Sequence, residues 1–475
     1  MESNPFVVVG ADAAGLSAAS KCRRVDPDRE VIVFEKGRWI SYAYCGMPYF
    51  IEGRIEQLNE LLSLSPDEAD DRGIDLRRGH EVTAVDPDDA TVTVDTGEGT
   101  IEQPYSDLLV ATGGQATTGH FDVESLDGAF TLHNMDAAAA IDAYIAAPEE
   151  YDDDRIADTP ADRERVAHNA AQPAPDTAAI IGGGYVGVEM AEALRGRGLD
   201  VHLFQRSGHV LRPFGEAVAD RVEAELEAEG VHVHTDTPVE ALIGNDRIEA
   251  ISYEGGRQPV DLAIVGVGIE PNTELLADTD IELGAGGAIA TDEYGRTNLP
   301  DVYAAGDCAT ARHTVTGEET WMPLGLTANR GGRAIGSTVA GDPEPVGDIA
   351  GTAVVKAFHL ECGRVGLVDD DTAREAGFEP VRKTITAGSR SGYYPGAAET
   401  DVTLVADSET GRLLGGTIVG ADRAAVRINT LATALEGGMS VAEVERLDLA
   451  YAPPFSPVWD PILVAAKVLR GSIAR

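Results

Sequence analysis

Residues 6–15 read Phe-Val-Val-Val-Gly-Ala-Asp-Ala-Ala-Gly, and this stretch decides how the chain folds. Its apolar first part predicts a buried parallel strand, and its glycine turn leads into a predicted helix that continues to Arg24. The next predicted strand, at residues 31–34, ends in Glu35. In this order of elements a pyrophosphate can lie at the helix N-terminus while the acid accepts hydrogen bonds from a ribose. The stretch therefore predicts a dinucleotide-binding α/β unit. The residues assigned to it are Gly10, Ala11, Asp12, Ala14, Gly15, Glu35 and Lys36.

The same pattern returns later in the chain, where residues 178–187 read Ala-Ala-Ile-Ile-Gly-Gly-Gly-Tyr-Val-Gly. All three glycines of the G-x-G-x-x-G pattern are present here, whereas Asp12 replaces the middle one in the first copy. Either copy alone also fits an ordinary strand–helix turn, but two copies in one chain are far more specific. The sequence therefore predicts two bound dinucleotides. The residues assigned to the second are Gly182, Gly184, Tyr185, Val186, Gly187, Glu189, Gln205, Arg206 and Gly268.

The two copies differ at the end of their second strand. Gln205 and Arg206 stand where a ribose-binding carboxylate is expected in the later copy. A neutral side chain followed by arginine accommodates a 2′-phosphate, so we predict a preference for NADPH over NADH. The sequence leaves open the alternative that Arg206 simply faces solvent.

The composition is that of a globular chain with an extreme charge. Asp and Glu number 81 against 37 Lys and Arg, which gives a formal net charge of −44. Such a surface predicts adaptation to concentrated salt, where screening reduces self-repulsion, and so a halophilic source. No basic run is long enough to follow nucleic-acid phosphates. With neither a leader peptide nor an apolar stretch of membrane-spanning length in the sequence, we expect a cytoplasmic protein that binds neither nucleic acid nor membrane.

The four cysteines, at positions 22, 45, 308 and 362, lack the spacing of a metal cluster or a C-x-x-C pair, so no metal site is predicted. Cys45 stands out because residues 41–49 read Ser-Tyr-Ala-Tyr-Cys-Gly-Met-Pro-Tyr, which predicts a turn into a helix. A thiol ahead of a helix N-terminus meets unpaired backbone N–H groups, which favour its thiolate. Taken alone, the residue fits a small buried side chain better; the surrounding pattern favours a reactive Cys45.

Three further segments contribute strands or loops to the predicted fold. Residues 105–113 and residues 261–272 each predict a strand that enters a loop. Residues 297–308 read Thr-Asn-Leu-Pro-Asp-Val-Tyr-Ala-Ala-Gly-Asp-Cys, a strand whose final acid can point at the hydroxyl groups of a cofactor.

Two other parts of the chain lie outside this pattern. Residues 146–177 are charged, contain proline and lack periodicity, which predicts a surface insertion. From about residue 346, alternating strands and a helix at residues 424–436 predict a separate α+β domain.

Together these strings resemble the two-dinucleotide flavoprotein disulfide reductases, and within them the branch with a single redox cysteine. That branch contains coenzyme A-disulfide reductase, NADH oxidase, NADH peroxidase and persulfide reductase. The resemblance covers nearly the whole chain outside residues 146–177, and the string at residues 297–307 is its most specific marker. It implies an FAD-dependent NAD(P)H:disulfide oxidoreductase that forms a homodimer. Further FAD contacts are implied at Ala111, Thr112, Gly113, Gly306 and Asp307, the last on the ribityl chain.

The resemblance also implies an architecture. We expect an α/β fold with two Rossmann-like dinucleotide-binding domains, one for FAD and one for NAD(P)H, and a C-terminal α+β dimerisation domain. The expected boundaries are 1–116 and 269–345 for the FAD domain, 117–268 for the NAD(P)H domain with its acidic insertion at about 146–177, and 346–475 for the dimerisation domain.

The paired cysteines of many family members are absent, because positions 40 and 50 are Ile and Phe. Without a second thiol, Cys45 must alternate between a thiolate and either a mixed disulfide with a small thiol or a sulfenic acid. The resemblance implies that Tyr451 reaches Cys45 of the partner subunit, and that Tyr393 or Tyr394 belongs to a second tyrosine region. Aromatic packing under a loop is the alternative for all three tyrosines.

The resemblance gives Tyr185 the role of a gate over the flavin face and places Glu189 near the nicotinamide. Their alternatives are a core tyrosine and a helix-surface glutamate.

Coenzyme A disulfide is the best prediction for the substrate, and this polyanion needs local cations. The predicted substrate-binding residues are Lys21, Arg23, Arg24, Ser41 and Tyr44. Tyr44 replaces an asparagine that usually precedes the cysteine, and Gly73 replaces a lysine that some members use. These departures leave a different small thiol open, and surface solvation is the alternative for the cations.

Three rival functions remain at this point. An NADH oxidase or peroxidase would use a sulfenic acid of Cys45, but such enzymes place a histidine in the first glycine turn where this chain has Ala13. A persulfide or polysulfide reductase is a second rival. A flavin-bound redox sensor or carrier that delivers electrons to a protein is the third.

Overall fold

The computed structural model describes residues 4–473. Up to residue 116 the helices are α1 (Ala13–Val25), α2 (Met47–Glu52) and α3 (Pro66–Asp71). The strands are β1 (Phe6–Val9), β2 (Val31–Glu35), β3 (Asp75–Arg78), β4 (Glu81–Asp86), β5 (Thr91–Asp95), β6 (Thr100–Pro104), β7 (Asp107–Val110) and β8 (Gly114–Ala116). Short 3₁₀ turns lie at Tyr44–Gly46 and Leu58–Leu61.

The next part of the chain, to residue 268, contains the helices α4 (Met135–Ile145), α5 (Arg163–Ala170), α6 (Tyr185–Gly196) and α7 (Glu216–Ala228). Its strands are β9 (Ala129–Phe130), β10 (Thr177–Ile181), β11 (Asp200–Phe204), β12 (Val231–His234), β13 (Val239–Gly244), β14 (Ile248–Tyr253), β15 (Gly256–Pro259) and β16 (Leu262–Val265).

The chain then forms β17 (Ile269–Pro271), β18 (Val302–Ala304), β19 (Ala311–Arg312), β20 (Glu319–Thr320) and α8 (Gly325–Val339). The last elements are β21 (Ala353–Ala357), β22 (Leu360–Gly366), α9 (Asp370–Glu375), β23 (Pro380–Gly388), β24 (Glu399–Asp407), β25 (Leu413–Gly420), α10 (Ala424–Glu436), α11 (Val441–Val444) and α12 (Pro461–Ile473).

The first sheet is parallel and has the strand order β18–β7–β1–β2–β3. All residues of its central strand β1 are apolar and buried, as a parallel strand covered on both faces requires. Helix α8 packs so closely on α1 that a Cβ at Gly332 or Gly336 would overlap the carbonyl oxygen of Ala14 or Ala18. The first sheet and its helix layer are therefore completed by elements from a later part of the chain.

The second sheet is also parallel, with the order β12–β11–β10–β16–β9. Its central strand β10 has a partner on each side, as β1 does in the first sheet. The antiparallel strands β13, β14 and β15 form a separate sheet. Its residue Ile251 belongs to an apolar cluster that includes Phe204 and lies on one face of the second sheet. Helices α6 and α7 contribute apolar side chains to the cluster on the opposite face.

Residues 146–177 are not the aperiodic surface insertion that the sequence predicts. They contain a 3₁₀ turn at Asp153–Ile156 and helix α5, and the side chains of Ile156 and Val166 are buried in the same core as α4. Arg155 also binds the buried carboxylate of Asp142 at 2.7 Å. Acidic side chains occupy about half of the exposed positions, and the few buried apolar side chains are too sparse to reveal a helical period.

The C-terminal part contains an antiparallel sheet with the order β21–β22–β25–β24–β23. Helices α10 and α12 cover it through an apolar cluster that includes Ile428, Leu431 and Ile462. A buried ion pair between Arg427 and Asp460, at 3.1 Å, joins these two helices. In the part of the chain that the structure describes, no helix has both the length and the apolar character needed to cross a membrane.

Candidate active site

Cys45 lies in the 3₁₀ turn that precedes helix α2, and it is exposed. The turn is closed by the N–H of Gly46, which donates to the carbonyl oxygen of Ala43 at 3.0 Å. The other three cysteines of the chain are buried. Cys308, for example, donates its thiol to the carbonyl oxygen of Val110 at 3.4 Å, so it belongs to the core of the first sheet. Cys45 is thus the one cysteine that a dissolved molecule can reach.

A carboxylate from the second dinucleotide unit lies near this thiol. Glu189 of α6 accepts a hydrogen bond from the hydroxyl of Tyr49 on α2, at 3.3 Å. Burial raises the pKa of Glu189 to about 7, against the effect of the Tyr49 hydrogen bond. Desolvation by the surrounding protein raises the pKa of Cys45, and the charge of Glu189 raises it further. The thiolate predicted from the helix N-terminus is therefore not favoured, because desolvation and a nearby negative charge outweigh the backbone N–H.

A second carboxyl group lies on the first glycine turn. Asp12 accepts a hydrogen bond from the backbone N–H of Tyr42 at 3.2 Å, and the Tyr44 hydroxyl also lies within hydrogen-bonding contact. Burial raises the pKa of Asp12 to about 7, while these hydrogen bonds lower it. The rings of Tyr42 and Tyr44 stack with centroids 4.5 Å apart, and His133 lies 5.7 Å beyond Tyr44. Tyr44 therefore joins an aromatic group beside Cys45; its role in substrate binding stays a prediction.

The first glycine turn is shaped by two glycines. Gly10 adopts a φ of +106°, and a Cβ there would overlap the carbonyl oxygen of Ala111, while a Cβ at Gly15 would overlap that of Gly10. Glu35 holds the turn from the end of β2: its carboxylate accepts the Ala11 N–H at 2.9 Å and the Gly37 N–H at 2.7 Å. No side chain from residues 4–473 caps the N-terminus of α1 by a hydrogen bond. Its first N–H groups are therefore available to an anion. Ala14 is a buried residue of the same helix, and Lys36 is exposed.

The second glycine turn repeats this construction. Gly182 has a φ of +112°, and added Cβ atoms at Gly182 and Gly187 would overlap the carbonyl oxygens of Gly266 and Gly182. Gln205 takes the place of Glu35, because its Oε1 accepts the Gly183 N–H at 3.0 Å. Within the described chain α6 likewise has no side-chain cap and no acidic residue in its first turn.

The other residues predicted for the second unit surround this turn. Gly184 is the N-cap of α6, Arg206 is exposed, and Gly268 adopts a φ of +142° beside Thr117. The ring of Tyr185 lies 5.5 Å from that of Phe214, and the side chain of Val186 lies beside Gly266.

The loops after β7 and β18 meet at the carboxyl edge of the first sheet. Thr112 donates its hydroxyl to the carbonyl oxygen of Asn272 at 2.6 Å, and the Asn272 amide donates back to the Thr112 carbonyl oxygen at 2.9 Å. Gly113 and Gly306 have positive φ values of +67° and +89°. Burial raises the pKa of Asp307, whose backbone carbonyl accepts a hydrogen bond from the Trp321 indole at 2.8 Å.

A cavity of about 280 Å³ opens between α1, α8 and the loop that carries Ser41. Three arginines line it: Arg24, Arg72 and Arg333. Arg72 is held in place by a hydrogen bond of 3.0 Å to the Ser20 hydroxyl. The cavity thus presents several guanidinium groups in a chain with a net charge of −44, which fits an anionic ligand.

Two of the cations predicted to bind substrate lie elsewhere. Lys21 forms an ion pair with Glu344 at 3.8 Å. Arg23 donates to the backbone carbonyls of Pro27, Arg29 and Arg72. Its guanidinium is therefore engaged with backbone carbonyl groups and does not line the cavity. Of the three adjacent cations, only Arg24 lines the cavity, because successive helix positions point in different directions.

The predicted C-terminal tyrosines are exposed in the single chain. The relative exposure is 61% for Tyr451, 81% for Tyr393 and 38% for Tyr394, so none of the three is packed under a loop. Phe455 and Trp459 are also exposed, at 62% and 53%. Tyr451, Phe455 and Trp459 lie on the segment between α11 and α12, whereas Tyr393 and Tyr394 lie between β23 and β24.

Comparisons with known proteins agree with this geometry. Residues 4–329 match the model for pyridine nucleotide-disulphide oxidoreductases, and residues 352–461 match the dimerisation domain of the same family. This chain belongs to the pyridine nucleotide-disulphide oxidoreductase family. The resemblance and the fold class that we inferred from the sequence are confirmed.

Relatives of the oxidoreductase carry related names. An NAD(P)H coenzyme A polysulfide/persulfide reductase from Pyrococcus horikoshii is 36% identical over 98% of both chains. A coenzyme A disulfide reductase from Staphylococcus aureus is 30% identical over 95% of this chain and 96% of its own. The solved structure of an NAD-dependent persulfide reductase from A. fulgidus is 30% identical, has a TM-score of 0.89, and is matched over 98% of this chain and 83% of its own.

The oxidoreductase fits the cofactors of its family, FAD and NAD(P)H. Both glycine turns exclude side chains where a dinucleotide backbone would approach, and both following helices lack side-chain caps among the described residues. The residues that would hold FAD are those of the first turn with Glu35, and those that would hold NAD(P)H are those of the second turn with Gln205. Bound in this way, the two cofactors supply hydride transfer and a two-electron reductant for sulfur.

The residues of the arginine-lined cavity that sequence reasoning missed include Arg72, Asn329 and Arg333. Arg72 stands next to Gly73, the position at which the family's lysine is missing, so the adjacent arginine was an available signal. Asn329 and Arg333 lie on α8, which only the three-dimensional packing brings to α1.

Proposed function

We propose that the oxidoreductase reduces the disulfide of coenzyme A with NADPH, through a mixed disulfide on Cys45. In the balanced reaction NADPH, one proton and one disulfide give NADP⁺ and two thiols. The observation that carries the proposal is the pairing of one exposed cysteine with an arginine-lined cavity.

Recognition of coenzyme A rests on its phosphates. Arg24, Arg72 and Arg333 present guanidinium groups that can bind phosphate oxygens in pairs. Ser41, four residues before Cys45, lines the same cavity. A thiol anchored by its phosphates in this cavity would extend along residues 41–45 towards the sulfur.

The sulfur chemistry needs one cysteine. The Cys45 thiolate attacks one sulfur of the substrate disulfide, a new S–S bond forms, and the other thiolate leaves and takes up a proton. NADPH and FAD, held at the second and the first glycine turn, would supply the two electrons that break the mixed disulfide; Cys45 then returns to its thiolate and the second thiol takes a proton. Because the other three cysteines are buried, no second thiol of this chain competes for the mixed disulfide.

Several side chains are placed to assist these steps. We assign Tyr451 of one subunit to the departing thiol at Cys45 of the partner subunit, and the exposure of Tyr451 supports contact with a second copy. Either Tyr393 or Tyr394, also exposed, is assigned to the same region. Asp307 would bind the ribityl chain, Tyr185 would cover the flavin face, and Glu189 would lie near the nicotinamide.

The choice of NADPH rests on Gln205 and Arg206. Gln205 is engaged with the glycine turn and Ser207, so the residue at the end of the strand carries no negative charge that would repel a 2′-phosphate, and the exposed guanidinium of Arg206 is free to bind it. We also propose that the reaction takes place in the cytoplasm.

A coenzyme A persulfide is the second candidate substrate. It is favoured by the name of the relative from Pyrococcus horikoshii and would use the same cavity, with the persulfide sulfur attacked by Cys45. Oxygen or peroxide is the less favoured acceptor, because Ala13 offers no acid–base group in the first turn.

The decisive experiment is anaerobic mass spectrometry of the intact protein before and after reduction, followed by turnover with coenzyme A disulfide, coenzyme A persulfide and oxygen. We expect a reductant-labile adduct with the mass of coenzyme A on Cys45, and fastest turnover with the disulfide. Fastest turnover with the persulfide would select the second candidate. A singly oxygenated Cys45 with fast oxygen turnover would contradict the proposal.

Variants of the cavity test recognition of the phosphates. Arg72→Gln should raise KM for coenzyme A disulfide by about 10- to 100-fold, since a hydrogen bond to a charged group contributes roughly 1.5–3 kcal/mol. It should leave KM for uncharged hydroxyethyl disulfide unchanged. The matched control is Arg257→Gln, an arginine 54% exposed on β15. Equal changes in KM for both disulfides would show that Arg72 does not bind the phosphates.

A further inference from the structure

Three histidines gather on one face of the second sheet, away from the glycine turn residues. His202 lies on β11, and His232 and His234 lie two residues apart on the edge strand β12. The parallel register sets His202 opposite His232, so all three imidazoles share a face. The rings of His202 and His232 stack with centroids 4.5 Å apart.

A carboxylate completes the group. Asp200 begins β11, and its two oxygens lie 3.2 Å from Nε2 of His232 and 3.7 Å from Nε2 of His202. One ligand atom from each of these three residues lies within 4.8 Å of the other two. His232 and Asp200 are about half exposed, whereas the side chain of His202 is 11% exposed, so the group opens to solvent on one side.

His234 contacts the nitrogen of His202 that faces away from Asp200. Nδ1 of His202 and Nε2 of His234 lie 3.1 Å apart, and either ring can be the donor. In the tautomer with the proton on Nδ1, His202 donates to His234 and its Nε2 lone pair can bind a metal. The His234 ring is held by Phe204, whose ring stacks on it at 4.4 Å. A histidine that ligates a metal normally donates its other N–H to such an acceptor.

Two imidazoles and one carboxylate suit Zn²⁺, Co²⁺ or Ni²⁺, whereas Mg²⁺ prefers oxygen ligands.

We propose that Asp200, His202 and His232 form a binding site for a divalent transition metal of the zinc class, with His234 as a positioning residue. The metal would tie the edge strand β12 to β11 and leave its remaining coordination positions to water. This proposal is independent of the substrate assigned to Cys45.

The test is equilibrium dialysis of the tag-free, FAD-loaded protein against low-micromolar Zn²⁺ with excess Mg²⁺, followed by elemental analysis. Thiols are alkylated first, so that Cys45 binds no zinc. We expect wild type to retain one more zinc per chain than His232→Ala and Asp200→Asn. The matched control is His168→Ala, because His168 is similarly exposed and lies 2.9 Å from a single carboxylate, Asp127. Its zinc content should equal that of wild type.

Variants of His234 separate ligation from folding. His234→Leu removes the acceptor for His202 and should weaken zinc binding by about 10- to 100-fold, whereas His234→Gln keeps an acceptor and should bind more tightly than His234→Leu. Zinc should also raise the thermal midpoint of wild type but not that of His232→Ala. Equal zinc content in wild type and His232→Ala, with the flavin spectrum of both intact, would overturn the proposal.

Discussion

The two glycine turns have the same construction but a different last residue. In each, a glycine with positive φ lies against a neighbouring carbonyl, and a side chain from the end of the second strand accepts a backbone N–H of the turn. That side chain is the carboxylate of Glu35 in the first unit and the amide of Gln205 in the second. The hydrogen bond to the turn is kept, while the negative charge of the strand-end side chain is lost. We therefore propose that shape and charge have separate roles in this fold: the glycines allow a dinucleotide to bind, and the strand-end residue helps to select which one.

The largest effect is expected from breaking one turn at a time. Gly10→Ala and Gly182→Ala each introduce a Cβ that overlaps a carbonyl oxygen at a positive φ, at a cost of roughly 3 kcal/mol or more. Gly10→Ala should yield protein without flavin, and Gly182→Ala should keep its flavin absorbance but lose reduction by NADPH. Gly184→Ala, whose Cβ would meet open space, is the control for folding. If both variants lose flavin equally, the two turns do not act separately.

The next effect concerns the nucleotide phosphate. Arg206→Ala should raise KM for NADPH by about 10- to 100-fold and leave KM for NADH within about twofold, because only NADPH carries the 2′-phosphate. Steady-state assays with both nucleotides measure this. Equal KM changes for NADH and NADPH would mean that Arg206 faces solvent.

Two reciprocal substitutions, Gln205→Glu and Glu35→Gln, test the two strand-end side chains. Gln205→Glu restores a carboxylate and should shift the preference towards NADH, by about 10-fold, through repulsion of the 2′-phosphate. Glu35→Gln leaves one acceptor oxygen for two backbone N–H groups, those of Ala11 in the first turn and of Gly37 after β2, and should weaken flavin retention by about 1 kcal/mol. The ratio of kcat/KM for NADPH and NADH measures the effect of Gln205→Glu. The flavin content after dialysis measures the effect of Glu35→Gln. No shift in either quantity would contradict the assigned roles of these side chains.

An effect of similar size is a pH dependence that both units share, since Asp12 and Glu189 each have a pKa raised to about 7. Such a carboxyl binds its proton more tightly in the folded state. Its contribution to stability is present below its usual pKa of 4.5 for Glu189, and it is lost as pH rises to about 7. Glu189→Gln should thus exceed wild type in stability above pH 7, by about 1–2 kcal/mol after allowance for partial exposure, and lose this advantage near pH 4.5. Thermal unfolding at pH 5 and pH 8 measures the difference.

The substitution Glu189→Gln should also change the reactivity of Cys45. Removal of the Glu189 charge lowers the pKa of Cys45, so alkylation of Cys45 at neutral pH should be faster in Glu189→Gln than in wild type. An unchanged alkylation rate would show that Glu189 does not influence the thiol.

Local pattern was enough to predict the two units, because strand, turn and helix follow each other within about thirty residues and leave a periodic signal. The bounds of β1, β10 and α10 agree with the sequence to within about one residue. For Cys45 the residue taken alone favoured a buried side chain, and it was the surrounding pattern that favoured a reactive cysteine; in the structure it is exposed. What sequence could not supply was the direction of side chains: Arg23 satisfies three carbonyls, while Arg24, its neighbour, lines the cavity.

Long-range packing explains the remaining differences. Arg333 reaches the cavity only because Gly332 and Gly336 allow α8 to touch α1, and no local pattern records that contact. The pKa of Cys45 depends on Glu189, which lies far along the chain. Residues 146–177 pack on the core through Ile156 and Val166, two buried apolar side chains in a strongly acidic stretch. The halophilic source and the domain boundaries stay predictions.

The contact between α1 and α8 also bears on how the protein is made. About 300 residues separate the end of α1 from the start of α8, and a ribosome adds roughly 5–20 residues per second, so the first helix waits about 15–60 s for its partner. During that interval the second unit, whose strands β9 to β16 are close in sequence, can complete its own sheet. The first unit would leave the ribosome with its sheet and helix layer incomplete, and one side of α1 would be exposed to solvent. Newly made chains should therefore depend on chaperones for the flavin half more than for the nicotinamide half.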